Sequence, residues 1–339
     1  MLKEKIKVAI LGGSGYTAIE LIKILLRHPQ AEIVAITSRQ DESIADLHPS
    51  LLGRLELRCE PYDPDALKAK CVQVAFGCLP HGTSMEAIPA LLERQIRVID
   101  LSADYRLRDA KVYQEWYKEP HQDAANLSQA VYGLPELNAD KIAGAKLIAN
   151  PGCYPQTAIL GLAPLVARGW VERSGIIVDS KSGVSGAGRT PKLNYHFPEC
   201  NENVLAYAIG THRHTPEIEQ ALSDVAGNLV AVIFTPHLIP MDRGILSTIY
   251  ATPTRQITDG ELFELYRSFY AAKPFIRVRP NPPATKDTLG TNFLDLFAKV
   301  VRGKVVVVAA EDNLIRGASG VAVQNFNRMC GFDERLGLL

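Results

Sequence analysis

Cys153 stands in Asn150-Pro151-Gly152-Cys153-Tyr154-Pro155, where proline and glycine fix the chain just before a thiol. A helical pattern follows from Tyr154 to Ala167, so the positive end of a helix is aimed near the sulfur. That placement favours the thiolate, the nucleophilic form. The other cysteines, at 59, 71, 78, 200 and 330, lack this loop-to-helix setting and read mostly as small buried hydrophobes. No two form a CxxC pair, and the spacing suits neither a zinc site nor a disulfide framework. Downstream, Gly210-Thr211-His212-Arg213-His214-Thr215-Pro216-Glu217 packs two histidines around an arginine ahead of another helix. Histidine gives and takes protons near neutral pH, so the pair offers an acid/base partner for a thiol. A capping or structural pair is the other reading of the tripeptide.

A second kind of chemistry lies at the N-terminal end. A β-branched run, Lys5 to Leu11, leads into Gly12-Gly13-Ser14-Gly15-Tyr16-Thr17-Ala18. Gly13-x-Gly15-x-x-Ala18 fits the dinucleotide fingerprint, whose glycines let backbone N–H groups approach a pyrophosphate at a helix N-terminus. The context agrees: strand before, amphipathic helix Tyr16 to Arg27 after, then a second strand, Glu32 to Thr37. At the end of that strand stands Thr37-Ser38-Arg39-Gln40 rather than an acid, which suits a 2′-phosphate and therefore NADP. Asp41 and Glu42 follow closely and temper that choice. Two more stretches read as anion cradles: Asp100-Leu101-Ser102-Ala103-Asp104-Tyr105-Arg106, and Lys181-Ser182-Gly183-Val184-Ser185-Gly186-Ala187-Gly188-Arg189. Arg106 and Arg189 could each hold a phosphate or carboxylate bidentately.

The elements that must position these groups divide the chain in two. Strands at Lys5 to Leu11, Glu32 to Thr37, Val72 to Gly77 and Arg97 to Leu101 alternate with helical patterns such as Ser84 to Glu93. Such an alternation predicts a Rossmann-type doubly wound parallel α/β sheet. From about residue 150 longer strands appear, at Gly175 to Ser180, Leu229 to Pro236, Ile245 to Thr252 and Lys304 to Ala310. Helical patterns separate them, and Thr258 to Tyr270 is one. This predicts an α+β catalytic domain with a mixed sheet. The expected boundaries are 1–150 for an NADP-binding domain, completed by a C-terminal helix at about 312–339, and 151–311 for a catalytic and oligomerisation domain.

Composition excludes other classes. The 339 residues carry 37 Lys plus Arg against 37 Asp plus Glu, so no long-range field draws nucleic acid or an anionic membrane. No apolar run reaches eighteen residues, and the N-terminus Met1-Leu2-Lys3 enters a strand without a signal-like segment. The expectation is a cytoplasmic protein with no membrane and no nucleic-acid partner.

Taken in order, GGSGYT (12–17), CLPHGTS (78–84), DLSADYRL (100–107), VYGLPE (131–136), NPGCYP (150–155), KSGVSGAGR (181–189), THRHTPEIEQ (211–220), PHLIPMDRGIL (236–246) and DNLIRGASG (312–320) closely resemble the N-acetyl-gamma-glutamyl-phosphate reductase family of arginine biosynthesis. Gln156 departs from the threonine usual after the proline, and Ala18, Arg316 and Val321 are smaller departures. The resemblance implies Cys153 as nucleophile and His212 as acid/base, with His214 less favoured and placed with the substrate. Ser102, Arg106 and Arg189 are the other substrate-binding expectations. The expected NADP contacts are Gly12, Gly13, Ser14, Gly15, Tyr16, Thr17, Ser38, Arg39, Leu79, Pro80, Ser182, Gly183 and Asn313, with no metal. The implied reaction is reduction of N-acetyl-L-glutamyl 5-phosphate by NADPH through a cysteine thioester, in a homo-oligomer, dimer or tetramer. A reductase of carrier-linked aminoadipate phosphate, from lysine synthesis, and a non-enzymatic NADP-binding redox sensor stay open beside it.

Overall fold

The computed structural model describes residues 4–39 and 41–339; the expectations for Met1-Leu2-Lys3 and Gln40 lie outside them. The chain divides into one unit of residues 1–151 with 318–339 and another of residues 152–317.

The first unit holds seven parallel strands. They are β1 (Ile6–Leu11), β2 (Ala31–Thr37), β3 (Cys59–Glu60), β4 (Val74–Gly77), β5 (Arg97–Asp100), β6 (Val131–Tyr132) and β7 (Leu147–Ala149), in the order β3-β2-β1-β4-β5-β7-β6. The order reverses on either side of β1, between β2 and β4, and such a switch point is where open α/β sheets bind ligands. β1 and β4 are buried on both faces along VAIL and VAFG, as strands covered by helices must be. The helix Tyr16–Leu25 buries Ala18, Leu21, Ile22 and Leu25, an i, i+3, i+4 stripe. The C-terminal helix Gly320–Met329 packs in this unit, against β5 and the helix Tyr16–Leu25.

The second unit holds a mixed sheet. Its strands are β8 (Ile176–Gly183), β9 (Leu205–Ala206), β10 (Val232–Ile239), β11 (Ile245–Ala251), β12 (Ile276–Val278), β13 (Leu294–Val301) and β14 (Lys304–Glu311), ordered β12-β13-β14-β11-β8-β10-β9. β10 runs through Pro236 to Ile239, three residues past the expected end. The proline adds a carbonyl that accepts from Tyr207 N–H. β13 has no counterpart among the expected strands; it turns into β14 through Arg302 and Gly303, both at positive φ, the conformation of a tight hairpin. The expected C-terminal helix at about 312–339 is instead a turn of π-helix, Ile315–Ser319, followed by the helix Gly320–Met329.

Helices Cys153–Ala167, Thr215–Ala226 and Asp259–Phe269 pack on this sheet. The first is apolar all round, the mark of a buried helix, and its residues Tyr154 to Val166 are all buried. Pro164 interrupts its ladder, because without an N–H it leaves the Leu160 carbonyl unserved. Tyr270 Oη donates to that carbonyl at 2.5 Å, and the Tyr266 hydroxyl donates to Gly161 O. The helix that begins at Cys153 is thus held in the middle by two tyrosines of a neighbouring element. Tyr270→Phe should therefore lower unfolding stability by about 1–3 kcal/mol, since it orphans a buried carbonyl. Denaturant titration checks this, and a loss within error of zero would contradict it.

Candidate functional site

At the first unit's switch point, Gly12 sits at φ +84, and a Cβ there would stand 2.6 Å from Cys78 O. Only glycine lets the loop cross this close to the strand beside it. Gly12 and Gly13 N–H both donate to Thr37 O, at 3.1 and 2.8 Å, which ties the loop to the end of β2. The helix Tyr16–Leu25 starts after Gly15 with no side-chain cap and no acid in its first turn. Ser14 and Tyr16 are exposed, and Gly15 and Thr17 half-buried. An uncapped helix start beside an open glycine is the donor set a pyrophosphate needs, so these residues fit the dinucleotide.

Leu79 borders the same loop, its Cδ2 3.2 Å from where a Gly12 Cβ would be, while Pro80 is exposed. At the end of β2, Ser38 is half-buried and Arg39 exposed. The nearest acid is turned aside: the Asp41 carboxylate pairs with Arg58 at 3.0 Å. Arg39 makes no ion pair that competes for it among the described residues.

The cradle after β5 is built differently from the sequence expectation. Asp100 is fully buried and accepts from Ser84 Oγ, Ser102 N–H and Ser102 Oγ. Burial, with the Asp104 charge nearby, pushes its carboxyl up to about 6. Ser102 Oγ in turn accepts from Asp104 N–H. Asp104 takes Gly82 N–H with both oxygens, so the start of the helix Thr83–Glu93 already holds a carboxylate of the chain itself. Arg106 is buried, its Nε donating to Asn150 O at 2.8 Å and its Nη2 to Leu101 O at 3.0 Å. Both side chains expected to meet substrate here bind the protein's own groups, and Arg106 clamps the residue three before the thiol. Asn150 is also fixed through its side chain, which donates to Ala318 O and accepts from Asn325.

In the second unit, Cys153 is the first residue of the helix Cys153–Ala167, after Gly152 in extended conformation. No side chain caps this helix start and no acid sits in its first turn. Glu217, buried in the first turn of the helix Thr215–Ala226, accepts Gly152 N–H at 2.8 Å. Gly317, in the π-helical turn, closes the other side: a Cβ there would lie 2.8 Å from Cys153 Cβ. The thiol is half-buried. Burial pushes Cys59 up to about 11 and Cys78 to about 12, and raises Cys330, which disfavours the thiolate at all three.

His212 lies in an aromatic cage, its ring 5.8 Å from Tyr154, 5.5 Å from Tyr207, 5.2 Å from Phe234 and 4.8 Å from His214. Burial there, helped by the Arg213 charge, lowers its pKa to about 4. Its Nδ1 accepts His214 N–H at 3.1 Å, so the neutral ring carries its proton on Nε2. His214 stands just before the helix Thr215–Ala226, makes no side-chain cap to it, and meets the Tyr154 ring edge-on. Cys153 and His212 thus stand on, or in ring contact with, one helical turn.

Ser182 is buried at the end of β8, its Oγ donating to Gly183 O at 3.0 Å. Gly183 N–H donates to Gly244 O at 3.0 Å. Asn313 links the loops around them: its Oδ1 accepts Gly244 N–H at 2.8 Å and its Nδ2 donates to Ser185 Oγ at 3.0 Å. Its amide thereby joins KSGVSG to PMDRG. Arg189, beyond the turn Val184–Ala187, is exposed. Sequence reasoning missed Glu217, Gly317 and the cage tyrosines. Only Glu217 left a signal, an acid in the first turn after His-Thr-Pro.

Residues 7–145 match the family model described as semialdehyde dehydrogenase, NAD binding domain, and residues 153–313 that of its dimerisation domain. An N-acetyl-gamma-glutamyl-phosphate reductase from Moorella thermoacetica is 50% identical over 98% of both chains. One from Pelobacter propionicus is 51% identical, also over 98% of each. Among solved structures, aspartate semialdehyde dehydrogenase II from Vibrio cholerae, complexed with ASA, superposes with a TM-score of 0.73 at 16% identity. It covers 96% of this chain and 98% of the other. Aspartate semialdehyde dehydrogenase with NADP from Candida albicans gives 0.70 at 15% identity, with the same coverage. The parallel sheet with its glycine loop and the mixed sheet with its thiol-bearing helix are therefore those of an enzyme, and the chain belongs to the N-acetyl-gamma-glutamyl-phosphate reductase family of phosphorylating semialdehyde dehydrogenases.

Proposed function

We propose that the chain reduces N-acetyl-L-glutamyl 5-phosphate to N-acetyl-L-glutamate 5-semialdehyde and phosphate, with NADPH, through a thioester on Cys153. The observation that carries this reading is the setting of Cys153: first residue of an uncapped buried helix, with Gly152 N–H held by Glu217. A helix start of this kind favours negative charge on the sulfur and on an oxygen beside it.

In the first step the Cys153 thiolate attacks the acyl carbon; the C–S bond forms and the C–O bond to phosphate breaks. NADPH, when bound by the glycine loop with Ser38 and Arg39 at its 2′-phosphate, supplies the hydride that reduces the thioester carbonyl. His212 Nε2–H holds the tetrahedral oxygen by a hydrogen bond and keeps its proton. The C–S bond breaks, releasing aldehyde and regenerating the thiolate. Because Nδ1 is occupied by His214 N–H, His212 suits hydrogen-bond donation from Nε2 better than taking the thiol proton. Arg189 is the exposed cation at the end of the Ser182-Gly183 segment and is assigned to the substrate's anionic end. Arg106 acts through the turn it clamps.

A homo-oligomer fits this reading. Ile233, Ile177 and Tyr250 lie side by side across β10, β8 and β11 in one exposed apolar row, on the domain whose family model is named for dimerisation. No helix among the described residues is long and apolar enough to cross a membrane.

Three measurements test the proposal. In the reverse direction, wild type should reduce NADP⁺ with N-acetyl-glutamate semialdehyde only when phosphate is present, and Cys153→Ala should lose at least about 1,000-fold. Turnover only with a carrier-linked aminoadipate semialdehyde would move the substrate, and silence with both would end the reductase reading. For His212, the folded pKa is depressed from 6.5 to about 4, so the ring stays neutral above pH 5. Loss of kcat/KM from this group appears only as pH falls toward 4, whereas its contribution to stability is lost progressively as pH falls from about 6.5, the unfolded value, to about 4. An acid limb at pH 6–7 that vanishes in His212→Asn would contradict the assignment. Arg39→Ala should raise KM for NADPH about ten- to a hundredfold while leaving that for NADH unchanged; equal effects on both would remove Arg39 from the 2′-phosphate.

A further inference from the structure

The dinucleotide loop has a second tether that lies outside the fingerprint. His48 follows the short helix Ile44–Leu47, is 9% exposed, and reaches back 35 residues to place Nε2 2.8 Å from Gly13 O. A carbonyl only accepts, so Nε2 carries a proton and donates. Every described peptide bond is trans, so the Ser14 N–H points opposite to the Gly13 carbonyl. Fixing one end of that peptide fixes the other. The Gly13 N–H is already bonded to Thr37 O. With the carbonyl held by His48, both peptides flanking Gly13 are locked.

We propose that His48 is a positioning residue for cofactor binding: it holds the Gly13–Ser14 peptide with the Ser14 N–H turned to the side where the dinucleotide's pyrophosphate binds. The inference rests on the reading that this loop binds a dinucleotide. Without the imidazole, that peptide can rotate and present its carbonyl to the anion, which repels it. The consequence is confined to the pyrophosphate. The adenosine end, held at Ser38 and Arg39, and the chemistry at Cys153 do not depend on this peptide.

The test is direct binding to the purified protein without substrate. Titration of wild type with NADPH, followed by its fluorescence, establishes whether a dinucleotide binds at all; no binding would end the underlying reading rather than this one. In His48→Leu and His48→Phe the Kd for NADPH should rise about tenfold, the worth of one well-placed hydrogen bond. The inhibition constant of 2′-AMP, which lacks the pyrophosphate, should stay within twofold. His48→Gln, which keeps a donor, should recover most of the loss, and kcat at saturating NADPH should change less than twofold in all three. Lowered thermal stability with an unchanged Kd for NADPH would mean a purely structural histidine and overturn the proposal. So would equal weakening of NADPH and 2′-AMP. In wild type, imidazole nitrogen shifts must report a proton on His48 Nε2; a neutral ring protonated at Nδ1 overturns it without recourse to any variant.

Discussion

The hydrogen bond from Gly152 N–H to the buried Glu217 carboxylate is the constraint on which the thiol site depends. A helix start exposes several N–H groups that need acceptors, and a capping side chain would normally take them. Here an acceptor comes from another helix, sixty-five residues on, and takes the N–H of the residue before Cys153. The helix's own first turn lies beside the sulfur, with no capping side chain at Gly152. The same bond draws the start of the helix Thr215–Ala226 to the thiol helix. His212 and His214 lie just upstream of Glu217, so one carboxylate sets both the Cys153 turn and the approach of the histidine pair.

Around that bond the chain uses polar side chains mainly to hold backbone. Arg106 clamps Asn150, Asn313 joins two loops, and Tyr270 serves the carbonyl that Pro164 leaves open. Each is a buried group whose hydrogen bonds must be made inside the protein, and each acts on a segment that carries a reactive residue. For the proposed thioester chemistry, rigid placement of the thiol matters because a displaced nucleophile loses its line of attack. The aromatic cage plays a complementary part. It removes water from His212 and so keeps the ring neutral, with a hydrogen bond to donate from Nε2.

Much of this was legible in the sequence, and the limits have physical causes. The glycine loop, NPGCYP and the strand–helix alternation are local patterns, fixed by φ, by helix spacing and by burial on both faces. They placed Cys153 at a helix start and Gly12 to Thr17 at the end of β1. Strand β13 stayed hidden because its residues LDLFAKVV neither alternate cleanly nor form a continuous apolar run. The two-residue strands β3, β6 and β9 are set by tertiary pairing and carry no period. Side-chain direction was the larger gap. Ser102 and Arg106 looked like an anion cradle because their types suit one; that they turn inward depends on Asp100 and Asn150, which only the fold brings near. Glu217 was hidden for the same reason, since a first-turn acid usually serves its own helix. Its partner is on another.

The central claim is that Cys153, set by Glu217, carries the acyl group. The most direct measurement is to incubate the enzyme with N-acetyl-glutamyl phosphate in the absence of NADPH, quench in acid, and map the digested protein by mass spectrometry. The account predicts one acyl adduct, on the peptide containing Cys153, that disappears when NADPH is added and is much reduced in Glu217→Gln. No adduct, or one carried by another of the six cysteines, would contradict it.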